Sequence, residues 1–261
     1  MRRITSRHNP AVARYRAAQR GDADGEILLD GAHLVLEALE AGAQIRQAAV
    51  VASAVDQSEI RPLLDRLLKE GADVCAATAG VMNAISPVRS PSPIVALAAR
   101  PRLADADLFQ GVSPLVVATV DVQDPGNVGA IIRVAEAGGA TGVIVAGASA
   151  DPFGWKALRG SMGSALRVPL CVKKGAYGFD AARRHGCRVV ASAPRGGRSV
   201  FDANLTGPLV VVIGGEGPGL PEALLRSADD RVTVPMQAPV DSLNAAVTAA
   251  LIVYEARRQR A

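Results

Sequence analysis

The fold is decided by the stretch Leu209-Val210-Val211-Val212-Ile213-Gly214-Gly215-Glu216-Gly217-Pro218-Gly219. It begins with an apolar run of strand length, which is typical of a strand buried on both faces of a parallel sheet. The run ends in a turn in which four of six residues are glycine. Because glycine has no Cβ, such a turn brings bare backbone amide and carbonyl groups within reach of a ligand. The stretch therefore predicts an α/β fold with a binding site at the end of a buried strand.

Two other segments place polar side chains where a helix begins. Asp241-Ser242-Leu243-Asn244 precedes a helix rich in alanine and valine, so its side chains and amides are expected at a helix N-terminus. Asp124-Pro125-Gly126-Asn127-Val128-Gly129, followed by Arg133, has the same build as the first stretch: an apolar strand, a turn and a helix.

Together these segments resemble the three sequence motifs of the SpoU (TrmH) family of RNA ribose 2'-O-methyltransferases, within the SPOUT superfamily. The residues that match are, in motif order, Asp124, Pro125, Asn127, Gly129 and Arg133; Gly214, Glu216, Gly219 and Leu220; Pro235, Met236, Ser242, Leu243 and Asn244. The resemblance covers roughly Leu115 to the C-terminus. One departure is Ala238, which stands where the family usually has glycine, so this loop is expected to avoid positive φ there.

The resemblance implies a C-terminal SPOUT methyltransferase domain with a parallel sheet and a trefoil knot, which strand order alone would not suggest. We assign it residues 114–261, after a linker at 101–113 that contains proline, glycine and mixed charges. Six or so strands are expected there, including Val232–Met236, and a last helix over Ala245–Arg257. Residues 1–100 alternate short strands and helices, which indicates a small α/β unit. From Gly31-Ala32-His33 and the order of elements, it resembles the ribosomal-protein-like RNA-binding domain of the ribosomal-RNA members.

Composition and charge favour a protein of the reducing cytoplasm. The chain has 261 residues, a net charge of +4 and 49% hydrophobic residues. No apolar run approaches the roughly 18 residues of a membrane span, and no secretory signal is evident at the N-terminus. Three cysteines without metal-ligand spacing argue against a disulfide framework, and we expect no metal site.

The first 20 residues carry six arginines and no acid. Such a segment is either a solvated, poorly ordered arm or a phosphate-binding arm or helix. With an RNA enzyme downstream, we favour the second interpretation. The RNA-binding candidates are Arg2, Arg3, Arg7, Arg14, Arg16 and, near the catalytic segments, Arg159.

The catalytic candidates come from the three motifs. Methyl transfer to a ribose hydroxyl needs an exposed methyl group, an aligned hydroxyl and an outlet for its proton. The resemblance implies that Arg133 assists deprotonation, although arginine normally stays protonated, so base and electrostatic clamp both remain open. The other candidates each have a plain structural alternative: Asn127 as a helix N-cap, Glu216 as a turn residue instead of a holder of Arg133 or Asn127, and Ser242 and Asn244 as caps of the last helix.

The resemblance also implies the cofactor S-adenosylmethionine. Its candidate contacts are Ala193, Gly214, Gly219, Val234, Met236 and Leu243. A homodimer formed through the last helix is implied as well.

We expect S-adenosylmethionine-dependent 2'-O-methylation of ribosomal RNA, most consistent with 23S rRNA. A nucleotide-binding Rossmann enzyme is disfavoured because Pro218 interrupts the glycines and no acid follows about 20 residues later to hold a ribose. A non-catalytic RNA-binding protein would not need the polar motif residues. A transfer-RNA enzyme remains an alternative, although the additional N-terminal unit favours ribosomal RNA.

Overall fold

The computed structural model describes residues 1–101, 105–174, 179–217 and 219–261, and its strands form two sheets. The chain divides into two compact units, one formed by Met1–Pro101 with Phe153–Leu166 and the other by Arg102–Pro152 with Arg167–Ala261. This division differs from the one expected from the sequence because Phe153–Leu166, inside the expected catalytic domain, packs with the first unit.

The first unit has a five-stranded mixed sheet of order β1-β4-β3-β5-β2. Its elements are β1 (Arg2–Ile4), α1 (Pro10–Arg20), β2 (Glu26–Asp30), α2 (Ala32–Glu40), β3 (Ile45–Val51), α3 (Arg61–Lys69), β4 (Asp73–Ala77), α4 (Ala79–Ile85) and β5 (Ile94–Ala99). Alternate strand residues pack with α1 and α4 in one apolar cluster that contains Tyr15, Met82 and Leu97. The arginine-rich N-terminus is therefore not a solvated arm: β1 pairs in parallel with β4, and α1 covers the sheet.

The second unit has a seven-stranded sheet of order β10-β12-β9-β11-β6-β7-β8, with every pairing parallel. Its elements, with the two helices α6 and α7 that lie between them in the chain, are β6 (Leu115–Val120), α5 (Pro125–Ala137), β7 (Gly142–Gly147), α6 (Trp155–Ser161), α7 (Ser164–Arg167), β8 (Leu170–Lys174), α8 (Phe179–Arg184), β9 (Arg188–Ser192), β10 (Arg198–Ser199), β11 (Leu209–Gly214), α9 (Glu222–Ser227), β12 (Asp230–Thr233) and α10 (Ala245–Arg260). This confirms the predicted α/β fold with a parallel sheet.

Several predicted boundaries shift, and each shift has a local cause. The predicted strand Val232–Met236 is displaced toward the N-terminus as β12, which ends at Thr233 before the pocket-lining residue Val234. The last helix runs three residues further than predicted, and Arg260 at its end donates to the carbonyl of Leu205 at 3.0 Å. The short elements β8, β10 and α9 were not predicted, since none has a distinct apolar period.

The linker predicted at 101–113 is in part a packed element. Residues Asp105–Phe109 form a 3₁₀ helix, and Leu108 and Phe109 are buried in the apolar cluster of the second unit. The reason is a close fit, because a Cβ on Gly142 would lie 2.5 Å from Leu108 Cδ2. Residues 102–104 lie outside the described residues.

No helix among the described residues has both the length and the apolar character needed to cross a membrane. Within the same described ranges, no group of three or more His, Cys, Asp or Glu side chains could hold a metal ion.

The first unit contains a buried carboxylate. The Asp30 side chain is 0% exposed and accepts hydrogen bonds from Ser86 Oγ at 3.1 Å and Ser92 Oγ at 3.2 Å. Arg159 Nη1, from α6, completes the set at 2.8 Å. The Arg159 guanidinium, an RNA-binding candidate by sequence, is therefore engaged with this carboxylate.

We expect Arg159→Ala to destabilise the first unit by about 3 kcal/mol, because it leaves a buried carboxylate without its cation. Chemical denaturation monitored by circular dichroism measures the loss. Lys156→Ala, a change of the same kind in the same helix, is the control and should cost less than about 1 kcal/mol, because Lys156 is exposed. If Arg159→Ala and Lys156→Ala have equal effects, the ion pair is not a stabilising contact.

Candidate functional site

The candidate site is a pocket at the carboxyl ends of β9, β11 and β12, which are neighbours in the second sheet. In open parallel sheets, ligands bind in the crevice outside the carboxyl ends of strands. The pocket has a volume of about 310 Å³. Its walls come from the segments 192–194, 213–220 (where residue 218 is not described) and 234–248.

All six residues expected from the sequence to contact the cofactor line this pocket. They are Ala193, Gly214, Gly219, Val234, Met236 and Leu243. The pocket combines apolar side chains with the exposed backbone groups of a glycine turn. Such a lining suits a ligand with a flat ring whose edge forms hydrogen bonds. The residues present therefore fit the adenosine part of S-adenosylmethionine.

The glycine turn approaches other backbone so closely that a side chain cannot be accommodated. A Cβ on Gly215 would lie 2.0 Å from the carbonyl oxygen of Asp121, the residue that follows β6. A Cβ on Gly214 would lie 2.8 Å from Gly219 C and Leu220 N. Gly215 and Gly219 form a β-bridge that closes the turn on itself. The turn is thus held by close contact of main chain on two sides.

Polar side chains from three separate segments meet next to the pocket. Asn127 Nδ2 donates a hydrogen bond to Glu216 Oε1. Asn244 Nδ2 donates to Asn127 Oδ1 at 3.1 Å and lies 3.5 Å from Glu216 Oε1. The carboxylate of Glu216 therefore accepts from both amides, and the three residues form one hydrogen-bonded cluster. Of the two holding roles weighed for Glu216, the contact found is with Asn127 and not with Arg133.

Helix capping sets the positions of the two amides. Asp124, not Asn127, caps α5: its Oδ1 accepts from the Asn127 backbone N–H at 2.8 Å. The Asn127 side chain is thereby left for Glu216, and its interpretation as an N-cap is wrong. Asn244 caps α10 with its Oδ1, which accepts from Ala246 N at 2.9 Å and Val247 N at 3.3 Å. Its Nδ2 remains available to the cluster, so Asn244 both caps the helix and contacts the other two side chains.

The remaining two catalytic candidates lie differently. Ser242 lines the pocket and is exposed. Arg133 is exposed and makes no hydrogen bond or ion pair to any residue in the described part of the chain. It follows Asn127 by six residues in α5, which turns it roughly 120° around the helix axis from that side chain. The single chain therefore does not bring Arg133 into the cluster with Glu216.

Two loops of the site are linked by an exposed ion pair. Arg195, after Pro194 in the loop that follows β9, pairs with Asp241, next to Ser242. Ala238 in the second loop avoids positive φ, as its side chain requires, and the Ala238–Pro239 peptide is cis. An exposed pair contributes about 1 kcal/mol at most.

The N-terminal RNA-binding candidates lie in the first unit and fall into two groups. Arg2 pairs with Asp73 at 2.7 Å, and Arg14 donates to Glu26 at 2.7 Å. The hydrogen bond from Arg14 is the main cause that lowers the pKa of Glu26. The second group is Arg3, Arg7 and Arg16, which have no acidic partner among the described residues.

Sequence reasoning missed some pocket residues. Leu220 belongs to the second motif yet was not proposed as a contact, and Thr248 lies one turn after Asn244 in α10. The position of Thr248 four residues beyond a helix cap was the available signal. No pattern in the sequence indicated that Pro194 would line the pocket.

We expect Gly215→Ala to cost at least about 2 kcal/mol of stability, because the obstructing atom belongs to backbone that cannot rotate away. Thermal or urea denaturation of the purified variant measures this loss. Gly80→Ala is the matched control: Gly80 is helical and its nearest neighbouring atom would be 3.6 Å away, so stability should be unchanged or slightly higher. Equal behaviour of the two variants would contradict the close approach.

Comparison with known proteins identifies the family. A family model described as the SpoU rRNA methylase family matches residues 114–254. The chain is 30% identical to the Bacillus subtilis protein named 23S rRNA (guanosine(2553)-2'-O)-methyltransferase RlmP, over 88% of each chain. It is 31% identical to a Burkholderia protein named 23S rRNA (guanosine-2'-O-)-methyltransferase RlmB, over 89% of this chain and 96% of that protein.

Among solved structures, the SpoU methyltransferase AviRb from Streptomyces viridochromogenes, in complex with AdoMet, is similar with a TM-score of 0.88. It is 30% identical, and the match covers 97% of this chain and 98% of that one. Because the family model spans more than half of the sequence and the relatives match along most of it, the chain belongs to the SpoU rRNA methylase family.

Proposed function

We propose that this protein is an S-adenosylmethionine-dependent enzyme that methylates a ribose 2'-hydroxyl of ribosomal RNA, in the large subunit. The observation that carries the proposal is the placement of a glycine-turn pocket directly beside the cluster of Asn127, Glu216 and Asn244. The relatives named for 23S rRNA 2'-O-methylation support the substrate.

S-adenosylmethionine supplies an electrophilic methyl group when it is bound. The six pocket residues named above would hold it by apolar contact and backbone hydrogen bonds. We propose that the three-residue cluster keeps the reactive end of the pocket polar and ordered, and that Ser242 contacts the substrate there. Glu216, which already accepts from both amides, fixes their orientation for the incoming ribose.

We propose that Arg133 acts as an electrostatic clamp. A guanidinium stays protonated in proteins, so it is suited to bind an RNA phosphate and to stabilise negative charge on the attacking oxygen. Its exposure and its lack of a partner among the described residues support this role. An arginine without such a partner in the described part of the chain is available to an external anion.

The substrate assignment is tested with labelled methyl donor. Purified protein is incubated with methyl-labelled S-adenosylmethionine and either ribosomal or transfer RNA, and the ribose-methylated position is mapped. One labelled ribose in large-subunit RNA is the expected result. Label in transfer RNA alone would show that transfer RNA, not ribosomal RNA, is the substrate. Intact cofactor binding without label in any RNA or ribosomal particle would favour a non-catalytic RNA-binding protein.

Arg133→Ala should lower the methylation rate at least about 100-fold, because one preorganised charge at a reacting centre contributes roughly that factor. Stability should change by less than about 0.5 kcal/mol, since Arg133 has no partner among the described residues. Single-turnover methylation and calorimetric titration with S-adenosylmethionine separate turnover from cofactor binding. Arg226→Ala, at an exposed helical arginine of the same unit, is the control. A rate like that of the control would exclude the assigned role.

We propose a homodimer that forms through α10. Val247, Leu251 and Tyr254 are 47%, 39% and 51% exposed and recur at helical spacing, so they make an apolar stripe on the outer face of this helix. A stripe of this kind on a surface helix favours packing against another protein surface. The family resemblance makes a second copy the expected occupant.

The wild-type protein should therefore elute at twice its chain mass of 26.8 kDa. Leu251→Arg should shift it to the monomer, because a charge placed in an apolar interface loses its hydration without gaining a partner. Light scattering coupled to size exclusion measures the mass. Leu68→Arg, at an exposed leucine of α3 in the first unit, should leave the dimer intact. A monomeric wild type at all concentrations would contradict the proposal.

Three further features follow from the resemblance, and we propose them here. The second unit carries a trefoil knot, a proposal supported by β11 lying between β6 and β9 and by one pocket that is lined by described residues of the segments following β11 and β12. The first unit binds the RNA substrate. The protein works in the cytoplasm, supported by three buried cysteines that are not in disulfides.

A further inference from the structure

The first unit has a concave basic surface, the α1 groove. It is lined by Arg7, His8, Asn9, Pro10, Ala13, Arg16 and Arg20. Three of these residues are arginines and none is acidic, and the groove has a volume of about 310 Å³. Ala13, Arg16 and Arg20 share one face of α1, because residues three, four and seven apart lie above one another on a helix.

Two of its guanidinium groups are fixed by main chain. Arg7 Nε donates to the carbonyl oxygen of Gly80 at 3.0 Å, and Arg16 Nε donates to that of Ala84 at 3.1 Å. Both carbonyls belong to α4 and are four residues apart, about 6 Å along the helix. The Nε atoms of the two arginines are thus anchored on carbonyl oxygens one helical turn apart.

Because each arginine is anchored through Nε, the two terminal nitrogens of its guanidinium remain available to a ligand. In the described part of the chain, neither the Arg7 nor the Arg16 terminal nitrogens donate a hydrogen bond to another residue. Both side chains are exposed. Because the long side chains are already ordered, binding an anion costs less conformational entropy than it would for free arginines.

The third arginine of the groove adds positive charge, but its side chain is held less firmly than the other two. Arg20 pairs with Asp22 at 2.7 Å, and both side chains are about 60% exposed (62% and 60%). Such an exposed pair is weak and exchanges readily with another anion. Asn9 and Pro10, at the start of α1, also line the groove, and Asn9 Oδ1 caps the helix by accepting from Ala11 N at 3.0 Å.

We propose that the α1 groove binds the phosphate backbone of the RNA substrate, with Arg7 and Arg16 contacting neighbouring phosphates of one strand. The proposal rests on the function proposed above and names the surface of the first unit that receives the RNA. Two fixed donors about one helical turn apart match a repeating anion better than a single free one. The groove has no Phe, Tyr or Trp side chain in its lining, and its charged groups are arginines, which position the RNA backbone.

The groove selects among the arginines of the N-terminal segment. Arg2 and Arg14 are paired with Asp73 and Glu26, and Arg159 with Asp30, so their charges are already neutralised by acidic partners. Arg7 and Arg16 are instead held by neutral carbonyls, which leave their full positive charge for the ligand. The RNA contacts of the segment are therefore centred on positions 7 and 16, since Arg3, which also lacks an acidic partner among the described residues, does not line the groove.

The test is the salt dependence of RNA binding by the full-length protein. We compare wild type, Arg7→Ala/Arg16→Ala and the control Arg61→Ala/Arg66→Ala, which removes the same charge from ion-paired arginines of α3. The probe is transcribed large-subunit RNA, titrated at several salt concentrations. Loss of two phosphate contacts should lower the slope of log K against log salt by about 1.4 to 1.8 and weaken binding at least tenfold at low salt.

A second double variant, Arg7→Lys/Arg16→Lys, distinguishes loss of charge from a disturbed fold of the first unit. It keeps both charges but loses the Nε anchors, so we expect a wild-type slope with weaker binding. Titration with S-adenosylmethionine should give wild-type affinity for every variant, which shows that the second unit is intact.

The outcomes are distinguishable. If the alanine pair keeps the wild-type slope, or if the α3 control loses as much, the α1 groove is not the RNA surface, whether or not the protein methylates RNA. If the slope falls as expected but wild type transfers no methyl group, the groove stands and the proposed enzymatic function fails.

Discussion

The structure of the site depends on one steric constraint, the contact of the glycine turn with the segment after β6. The Gly215 α-carbon lies so close to the Asp121 carbonyl that only hydrogen fits between them. On the other side the turn bridges back onto Gly219. These contacts fix where β11 ends, and they therefore fix where Glu216, the next residue, carries its carboxylate. A rigid turn is a more precise support for a reactive group than a free loop.

The polar cluster follows from that placement. Glu216 accepts from Asn127 and Asn244, whose backbones are fixed at the first turn of α5 and the cap of α10. At the start of each helix, a side-chain oxygen caps the helix by accepting from a backbone N–H. A side-chain NH2 group there is left to donate to the Glu216 carboxylate. These contacts join three segments that are distant in the sequence. Asn127 and Glu216 are 89 positions apart, and Glu216 and Asn244 are 28 positions apart. The pocket and the cluster share the same glycine turn, so cofactor binding and substrate positioning depend on one piece of backbone.

Much of this could be predicted from the sequence. The apolar run of β11 and its glycines indicate a buried parallel strand and a ligand turn, and β11 is found over the predicted run. Side-chain partners were less accessible, because they depend on three-dimensional proximity. Asp124 took the capping role that Asn127 could also fill, and Arg159 found a buried carboxylate 129 positions away. Leu108 was hidden in a segment of linker composition, where only tertiary packing against Gly142 gives it a core position. The basic N-terminus showed charge but not which arginines were neutralised.

The central claim is that this chain methylates one ribose in ribosomal RNA. The most direct measurement is a map of ribose 2'-O-methyl groups in ribosomal RNA from cells that lack the gene, compared with the same cells carrying the wild-type gene or its Asn127→Ala variant. The account predicts that one methyl group of the large-subunit RNA is absent without the gene, returns with the wild type and does not return with the variant. An identical map in all three strains would contradict it.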